Sequence, residues 1–336
     1  AANWMRLLSP VISHSMLIVT NGDSAVSVLK KAGIPGHIFP WRDVLHQGPV
    51  PATESLEALS DIRADYIAGL GWGSRDRVRQ DFRLRDRKLE SARHHDELVL
   101  WFEHDLYDQL QLLQILSYLA VAPPEDTVMS MVCRDTFLTQ APAELLGEWF
   151  EDRPPLDDGQ IAVGQLAWQG FTQPTPDAWA ALLDDETSAL PFLADAIERH
   201  LEEFPGPTDG LSRTERQILI AVEQGHTTPG ALFRATQEME EAAFMGDASF
   251  WDTLAGLVLG AAPLLAAAWE FRLPNGPRPE PGFLRQPLDF TTTGRDVLAG
   301  KLDWLSLHPI DKWLGGIHLG PSVWRWDPEA RQLLSS

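Results

Sequence analysis

The chain has little cysteine and no long apolar run. Its single cysteine, Cys133, excludes an internal disulfide and a cysteine-rich zinc site. Such usage suits a reducing compartment, so we expect a cytoplasmic protein. The longest apolar stretch, residues 254–269, is interrupted by Gly256, Gly260 and Pro263, and it falls short of the roughly 18 residues that a membrane span needs. We therefore expect no membrane association.

Positive charge is also scarce. The chain has 27 Lys and Arg against 48 Asp and Glu, a formal net charge of −21. Binding to nucleic acid or to an anionic membrane requires Lys and Arg to displace counterions, so wholesale binding of a polyanion is excluded. Any such contact must be local.

Residues 75–88 are the local exception to the acidic balance. Arg75, Arg79, Arg83 and Arg87 recur every four residues, which places them along one face of a helix. Such a stripe could clamp phosphates, and it is where we expect nucleic acid if any binds. The alternative is a solvated face whose arginines pair with acidic neighbours, as charge runs on helices usually do.

The remaining composition is that of a folded protein: 44% hydrophobic and 22% charged residues. A length of 336 residues favours more than one domain. Residues 1–15 lack the apolar region and cleavage site of a signal peptide, and we interpret them as an extension before Met16.

The pattern of residues 16–134 predicts a Rossmann-like α/β domain with a mainly parallel sheet. Apolar strands at 16–20, 37–39, 97–102 and 127–133 alternate with helices, including 56–69 and 74–92. Residues 135–205 predict a helical connecting segment, followed by a Pro/Gly linker. Residues 211–330 then predict a winged-helix-like domain, with helices at 212–224, 229–241 and 249–259 before strands at 267–273 and near 288.

Polar motifs directly follow three of the predicted strands. In open α/β sheets the ligand site lies beyond the carboxyl ends of the strands, so we expect these motifs to border one pocket. The first motif, Asn21, Gly22, Asp23 and Ser24, opens a helix whose free N–H groups could bind an anionic ligand. The alternative is that Asp23 or Ser24 caps the helix and uses those N–H groups itself.

The other two motifs supply an Asp/His cluster. The predicted catalytic residues are Asp43, His46, His104 and Asp105, and the predicted ligand-binding residues here are Arg42, Glu103 and Asp108. Two histidines with carboxylates could hold a divalent metal, or a general base oriented by a carboxylate; the cofactor and its ligands stay open. The alternative is structural: carboxylates that cap a helix and histidines that pack.

A fifth predicted catalytic residue is His318, which follows Gly315 and Gly316. Two glycines permit a tight turn, and we expect the C-terminal domain to close on the N-terminal one and bring His318 into the same cleft. The predicted helix at 249–259 has no Lys or Arg and much apolar surface, which also favours burial inside the molecule.

Several of these motifs carry a family resemblance. The segments TNGDSA, PWRDVLHQGPVP and LWFEHDLYDQLQLL resemble the bacterial domain of unknown function 1835. The later segments LSRTERQIL, FMGDASFW, DKWLGGIHL and WRWD resemble its usual C-terminal partner, domain of unknown function 3658. Together they cover most of residues 16–327. The resemblance implies a fold and brings no activity with it.

Three functions remain open on the sequence. The first is a nucleotide- or phosphoester-acting enzyme, such as a hydrolase, with a small phosphate-containing ligand at the strand ends. The second is a ligand-sensing regulator that binds DNA through the winged helix, although helix 249–259 lacks basic residues. The third is a non-enzymatic interaction protein. No G-x-S-x-G motif occurs, and Cys133 lies in a predicted strand, where a small buried hydrophobe is favoured over a nucleophile.

Overall fold

The computed structural model describes residues 15–274, 279–320 and 322–335. Its N-terminal part contains β1 (Met16–Asn21), β2 (His37–Trp41), the short β3 (Gly48–Pro49), β4 (Glu97–Phe102) and β5 (Val128–Cys133). Four of these strands form a parallel sheet in the order β2-β1-β4-β5. The Rossmann-like α/β fold with a parallel sheet is thereby confirmed.

Helices connect these strands: α1 (Gly22–Lys31), α2 (Leu56–Gly69), α3 (Arg75–Glu90) and α4 (Leu106–Val121). Ser55 caps α2, since its side chain accepts a hydrogen bond from the N–H of Ala58. Asp105 caps α4 in the same way through the N–H of Asp108. Most residues of α4 are buried, so this helix forms the centre of the molecule.

The connecting segment contains α5 (Ala143–Glu151), α6 (Asp158–Phe171), α7 (Asp177–Ala181) and α8 (Leu193–Leu201). Helix α6 packs closely along α4. Gly164 makes that approach possible, because a Cβ at this position would lie 2.5 Å from the side chain of Leu116. The segment therefore shares a hydrophobic core with the sheet.

A second core lies farther along the chain. It is built by α9 (Arg213–Glu223), α10 (Pro229–Glu238), α11 (Asp247–Leu259), β6 (Leu265–Ala267), α12 (Pro281–Leu284), β7 (Leu288–Phe290) and α13 (Thr292–Leu298). Strands β6 and β7 pair antiparallel after the three helices. The element order is the predicted one, and the winged-helix assignment itself stays a prediction. The strand predicted at 267–273 is replaced by the shorter β6.

The last strands return to the N-terminal part. They are β8 (Lys312–Gly315), β9 (Ile317–Leu319), β10 (Trp324–Asp327) and β11 (Gln332–Ser335). Strand β8 pairs parallel with β3, with Gly48 opposite Leu314, and antiparallel with β9. Leu314 and Trp326 belong to the same core as Leu17 and Leu100 of the central sheet. The end of the chain thus packs on its beginning.

Within the three described ranges, no helix combines the length and apolarity needed to cross a bilayer. The extension expected at residues 1–15 lies, apart from Ser15, outside the described residues.

Candidate functional site

The carboxyl ends of β1 and β4 meet, as parallel neighbours must, and their polar residues bond directly. The side-chain Nδ2 of Asn21 donates to Glu103 Oε2 at 2.8 Å and to Asp108 Oδ2 at 2.5 Å. Of the predicted site residues, Asn21, Glu103, Asp105 and Asp108 therefore lie together.

Three carboxylates form a compact cluster here, which we call the carboxylate cluster: Glu103, Asp105 and Asp108. One oxygen of each lies within 4.8 Å of the others. Asp108 Oδ1 also accepts from the backbone N–H of Glu103 at 2.7 Å, and Asp105 Oδ1 accepts from that of Asp108 at 3.1 Å. Burial, with the neighbouring carboxylates, raises the pKa of Asp105 to about 7 and that of Asp108 well above its usual range.

Helix α1 begins next to this cluster with its N-terminal N–H groups uncapped by side chains. Asn21 occupies the N-cap position without a side-chain cap bond. Asp23 instead forms an exposed pair with Arg42, in which Arg42 Nε lies 2.8 Å from Asp23 Oδ2. Hydrogen bonding to Arg42 lowers the pKa of Asp23. The alternative in which Asp23 caps α1 is therefore wrong.

Gly22 forms the junction between β1 and α1. Its φ of +40° is a backbone conformation that side chains disfavour, and a Cβ there would meet nothing within 4 Å. Space is thus available beside the first turn of α1.

Asp43, a predicted catalytic residue, lies in a buried ion cluster. Its Oδ1 is 2.9 Å from Nη2 of Arg63, and its Oδ2 is 3.4 Å from Nη1 of Arg85. Arg85 also pairs with Asp86 at 2.9 Å. Because both carboxylate oxygens are committed to arginines, this position holds the loop after β2 in place.

The three predicted catalytic histidines are not brought together. His46 is buried against Tyr107 and Phe244 and lines a cavity of about 520 Å³. His104 packs against Phe137 and Phe192 and, with Asp105, lines a second cavity of about 530 Å³.

His318 lines a third cavity. Its ring stacks on Trp313, with centroids 4.6 Å apart, and its Nε2 lies 2.7 Å from Asp311 Oδ1. Its neighbours Ile317 and Leu319 are buried in the core, and side chains alternate along a strand, so His318 faces away from it. The C-terminal strands do contact the N-terminal part, yet His318 does not share a cavity with His46 or His104.

The arginine stripe pairs with acidic residues of α2. Arg75 bonds to Asp65, Arg79 to Asp61, and Arg83 lies 3.8 Å from Glu57. These contacts favour the alternative of a self-paired, solvated face over a phosphate clamp.

Sequence reasoning missed the charged residues of the cavity beside His46. Glu203, Glu215, Asp252 and Lys312 all line it, and they come from separate elements. These four residues are far apart in the sequence, so no local pattern indicates that they line one cavity. The hydrogen bond from Gln47 Nε2 to Asp252 Oδ2, 2.8 Å long, links the loop after β2 to α11.

Burial determines the protonation state of His46 and of Cys133. It lowers the pKa of His46 to about 3, so the ring is neutral at physiological pH. It raises the pKa of the Cys133 thiol to about 12, which favours the buried hydrophobe over a nucleophile.

Comparison with models of known protein families and with curated proteins gives no match.

Proposed function

We propose that the chain is a metal-dependent hydrolase of a nucleotide or another small phosphoester, with its site at the carboxyl ends of β1 and β4. The observation that carries the proposal is the position of Asn21. Its side chain bonds to Glu103 and Asp108 while its backbone begins α1, so the carboxylate cluster lies beside an uncapped helix N-terminus. A cation site and an anion site are thereby adjacent.

The carboxylate cluster supplies the ligands for the cation. Mg²⁺ and Mn²⁺ prefer carboxylate oxygens, and three such groups within 4.8 Å fit one divalent ion. A bound divalent ion would polarise a phosphoryl oxygen and neutralise the charge that develops in the transition state.

The first turn of α1 supplies the groups for the phosphate. The backbone N–H groups of Gly22, Asp23 and Ser24 point out of the helix end, where the helix dipole also favours an anion. Arg42 holds Asp23 to one side, which limits repulsion between that carboxylate and the phosphate.

His104 lies between Glu103 and Asp105 in the sequence, and it lines the same cavity as Asp105. Its Nδ1 is buried and has no hydrogen-bond partner among the described residues. We assign it the proton transfers: His104 takes a proton from the water whose oxygen bonds to phosphorus, and gives that proton to the leaving oxygen as the phosphorus–oxygen ester bond breaks. General acid–base catalysis of this kind contributes roughly 10²–10⁴-fold.

The first test measures binding of Mn²⁺ by thermal shift. Asp105→Asn removes one ligand charge and keeps an N-cap side chain, so we expect the fold to persist and the Mn²⁺-induced rise in Tm to disappear. Asp157→Asn is the matched control, because Asp157 caps α6 through the same kind of bond. An equal Mn²⁺ response in both variants would remove the metal site from the proposal.

The second test measures hydrolysis of bis-p-nitrophenyl phosphate and of nucleoside triphosphates with Mg²⁺ or Mn²⁺. We expect His104→Ala to lower kcat at least 100-fold with an unchanged circular dichroism spectrum. His318→Ala, which alters another cavity, should retain activity. If the wild-type chain hydrolyses none of these substrates, the proposed hydrolase activity is wrong. If His104→Ala unfolds, the role of His104 is structural.

The DNA-binding alternative has less support. Helix α11 carries Asp247 and Asp252 and no basic residue, and its large side chains Phe250, Trp251 and Leu254 are buried. A helix that reads a groove needs groups that bind phosphates as well as groups that read bases, and α11 has no Lys or Arg to bind phosphates.

A further inference from the structure

The cavity that His46 lines lies where three parts of the chain meet, and we call it the junction cavity. Its walls come from the loop after β2, from the segment after α8, and from α11 with the residues leading into β8. Its volume of about 520 Å³ is within the range of small-molecule sites. Among the described residues, none lines both this cavity and the cavity of His104 and Asp105.

The charges of the junction cavity are mainly negative. Glu203, Glu215, Asp252 and Asp311 line it, whereas Lys312 is the one Lys or Arg among the described lining residues. Lys312 is already engaged, with its Nζ 3.5 Å from Glu203 Oε2. Burial raises the pKa of both Glu215 and Asp252, because the loss of solvation outweighs the opposing effect of nearby Lys312.

Polar atoms at this cavity lack partners. Neither ring nitrogen of the buried His46 has a hydrogen-bond partner among the described residues, and the same holds for Oε1 of Gln47 and Nδ1 of His308. Buried polar groups are nearly always paired in folded proteins, and each exception calls for an explanation such as a ligand. Four of the sixteen such atoms in the described residues belong to the lining of this one cavity, and the rest are spread over other parts of the molecule.

Aromatic rings form other parts of the wall. Tyr66, Trp304 and Trp313 all line the cavity. The face of an aromatic ring attracts a cation, most strongly where water is excluded. Carboxylates with aromatic rings are therefore a combination suited to an organic cation and unsuited to a phosphate.

We propose that the junction cavity is a binding site for a small organic cation carrying ammonium or guanidinium groups. Asp252 and Glu215 bind the positive groups, and the aromatic rings cover the carbon chain. The excess negative charge of the chain raises the local concentration of such cations. This site is independent of the proposed hydrolase, because the strand-end site binds an anion through other residues.

The test is calorimetric titration of the full chain with agmatine, spermidine and tyramine, and with succinate as an anion of comparable size. We expect saturable binding of at least one cation with one site per chain, and no binding of succinate. Asp252→Asn keeps an acceptor for Gln47 and should weaken cation binding at least tenfold. Asp289→Asn, which removes an equal charge at an exposed side chain of β7, should change it less than twofold.

A second variant blocks the cavity without changing charge. Gly256 lies on α11 at the cavity, and a Cβ there would meet nothing within 4 Å. Gly256→Leu should therefore keep the fold and abolish binding. Gly147→Leu is the control, because a Cβ at Gly147 in α5 would also meet nothing within 4 Å, and it should leave binding intact. Equal effects of Asp252→Asn and Asp289→Asn would indicate diffuse attraction to an acidic surface and overturn the proposal. Absence of saturable binding by all three cations would also overturn it.

Discussion

Replacing Asp43 by alanine removes the anion that lies between two buried guanidinium groups. The side chains of Arg63 and Asp43 are fully buried, and that of Arg85 is 3% exposed. At an effective dielectric constant of about 20, separations of 2.9 and 3.4 Å correspond to Coulomb attractions of about 6 and 5 kcal/mol. Much of this offsets the desolvation of the three charges, so the attraction is not a net gain.

The loss of stability in Asp43→Ala depends on which binding partners Arg63 and Arg85 keep. Arg85 keeps Asp86 at 2.9 Å, whereas Arg63 keeps no carboxylate, only the backbone oxygens of Val44, Gln47 and Pro49 and the ring of Tyr66. A buried charge deprived of its partner typically costs about 3–5 kcal/mol. We therefore expect Asp43→Ala to lower the free energy of unfolding by about 3–5 kcal/mol.

Urea unfolding followed by tryptophan fluorescence measures this change, with an unchanged m value as evidence that the transition itself is unaltered. Asp23→Ala is the matched control. It removes an aspartate from an exposed pair with Arg42, and should cost about 1 kcal/mol or less. If Asp43→Ala loses less than about 1 kcal/mol but abolishes phosphoester hydrolysis, the structural assignment is wrong and Asp43 returns to the catalytic residues.

Two further predictions concern pH and backbone geometry. Burial among Phe171, Trp179 and Phe204 lowers the pKa of His200 to about 3, with Glu203, Lys312, Arg199 and His46 the charged or titratable groups that act on it. The unfolded chain takes up this proton near pH 6.5 and the folded one does not, so stability is full above pH 6.5 and is lost as pH falls towards 3. Urea unfolding between pH 7 and 4 should show a pH slope smaller by about 1.4 kcal/mol per unit in His200→Phe than in wild type, and parallel slopes would contradict this. Gly48→Ala should lower stability by more than about 2 kcal/mol, because its φ is +79° and its Cβ would lie 2.2 Å from the ring of Tyr66. Gly33→Ala, with φ +76° and open space around its Cβ, should lose only about 1 kcal/mol in the same urea unfolding measurement, and equal losses in the two variants would refute the clash.

The central sheet could be predicted because its signals are local. Strands β1, β2, β4 and β5 are short apolar runs, and polar or Gly-containing segments separate them from one another. The predicted bounds of α2, 56–69, are the observed ones. Helix α6 lies in the segment that was predicted to be helical, but its bounds were not predicted, because its sequence mixes glycine and glutamine with apolar residues and its period is weak. Strands β8–β11 have three or four residues each, too few for alternation to be recognised.

The candidate site could be predicted only in part. The rule that strand ends gather polar residues brought Asn21 and the carboxylate cluster together correctly. The same rule could not distinguish Asp43, because its arginine partners lie on two helices distant in the sequence. Likewise, Gly315 and Gly316 do permit a close approach, but their neighbours are the backbone oxygens of Phe171 and Thr172, which belong to the connecting segment.

The pairing of β3 with β8 determines which parts of the protein can fold before translation is complete. Position 48 leaves the ribosome long before position 314, and until then the loop after β2 has no strand to pair with. Domains fold as the chain emerges, and contacts between distant positions form late. The central sheet can assemble on the nascent chain, whereas the junction cavity is completed only when nearly the whole polypeptide has been translated. A product of interrupted translation therefore contains the strand-end site but lacks β8, which lines the junction cavity.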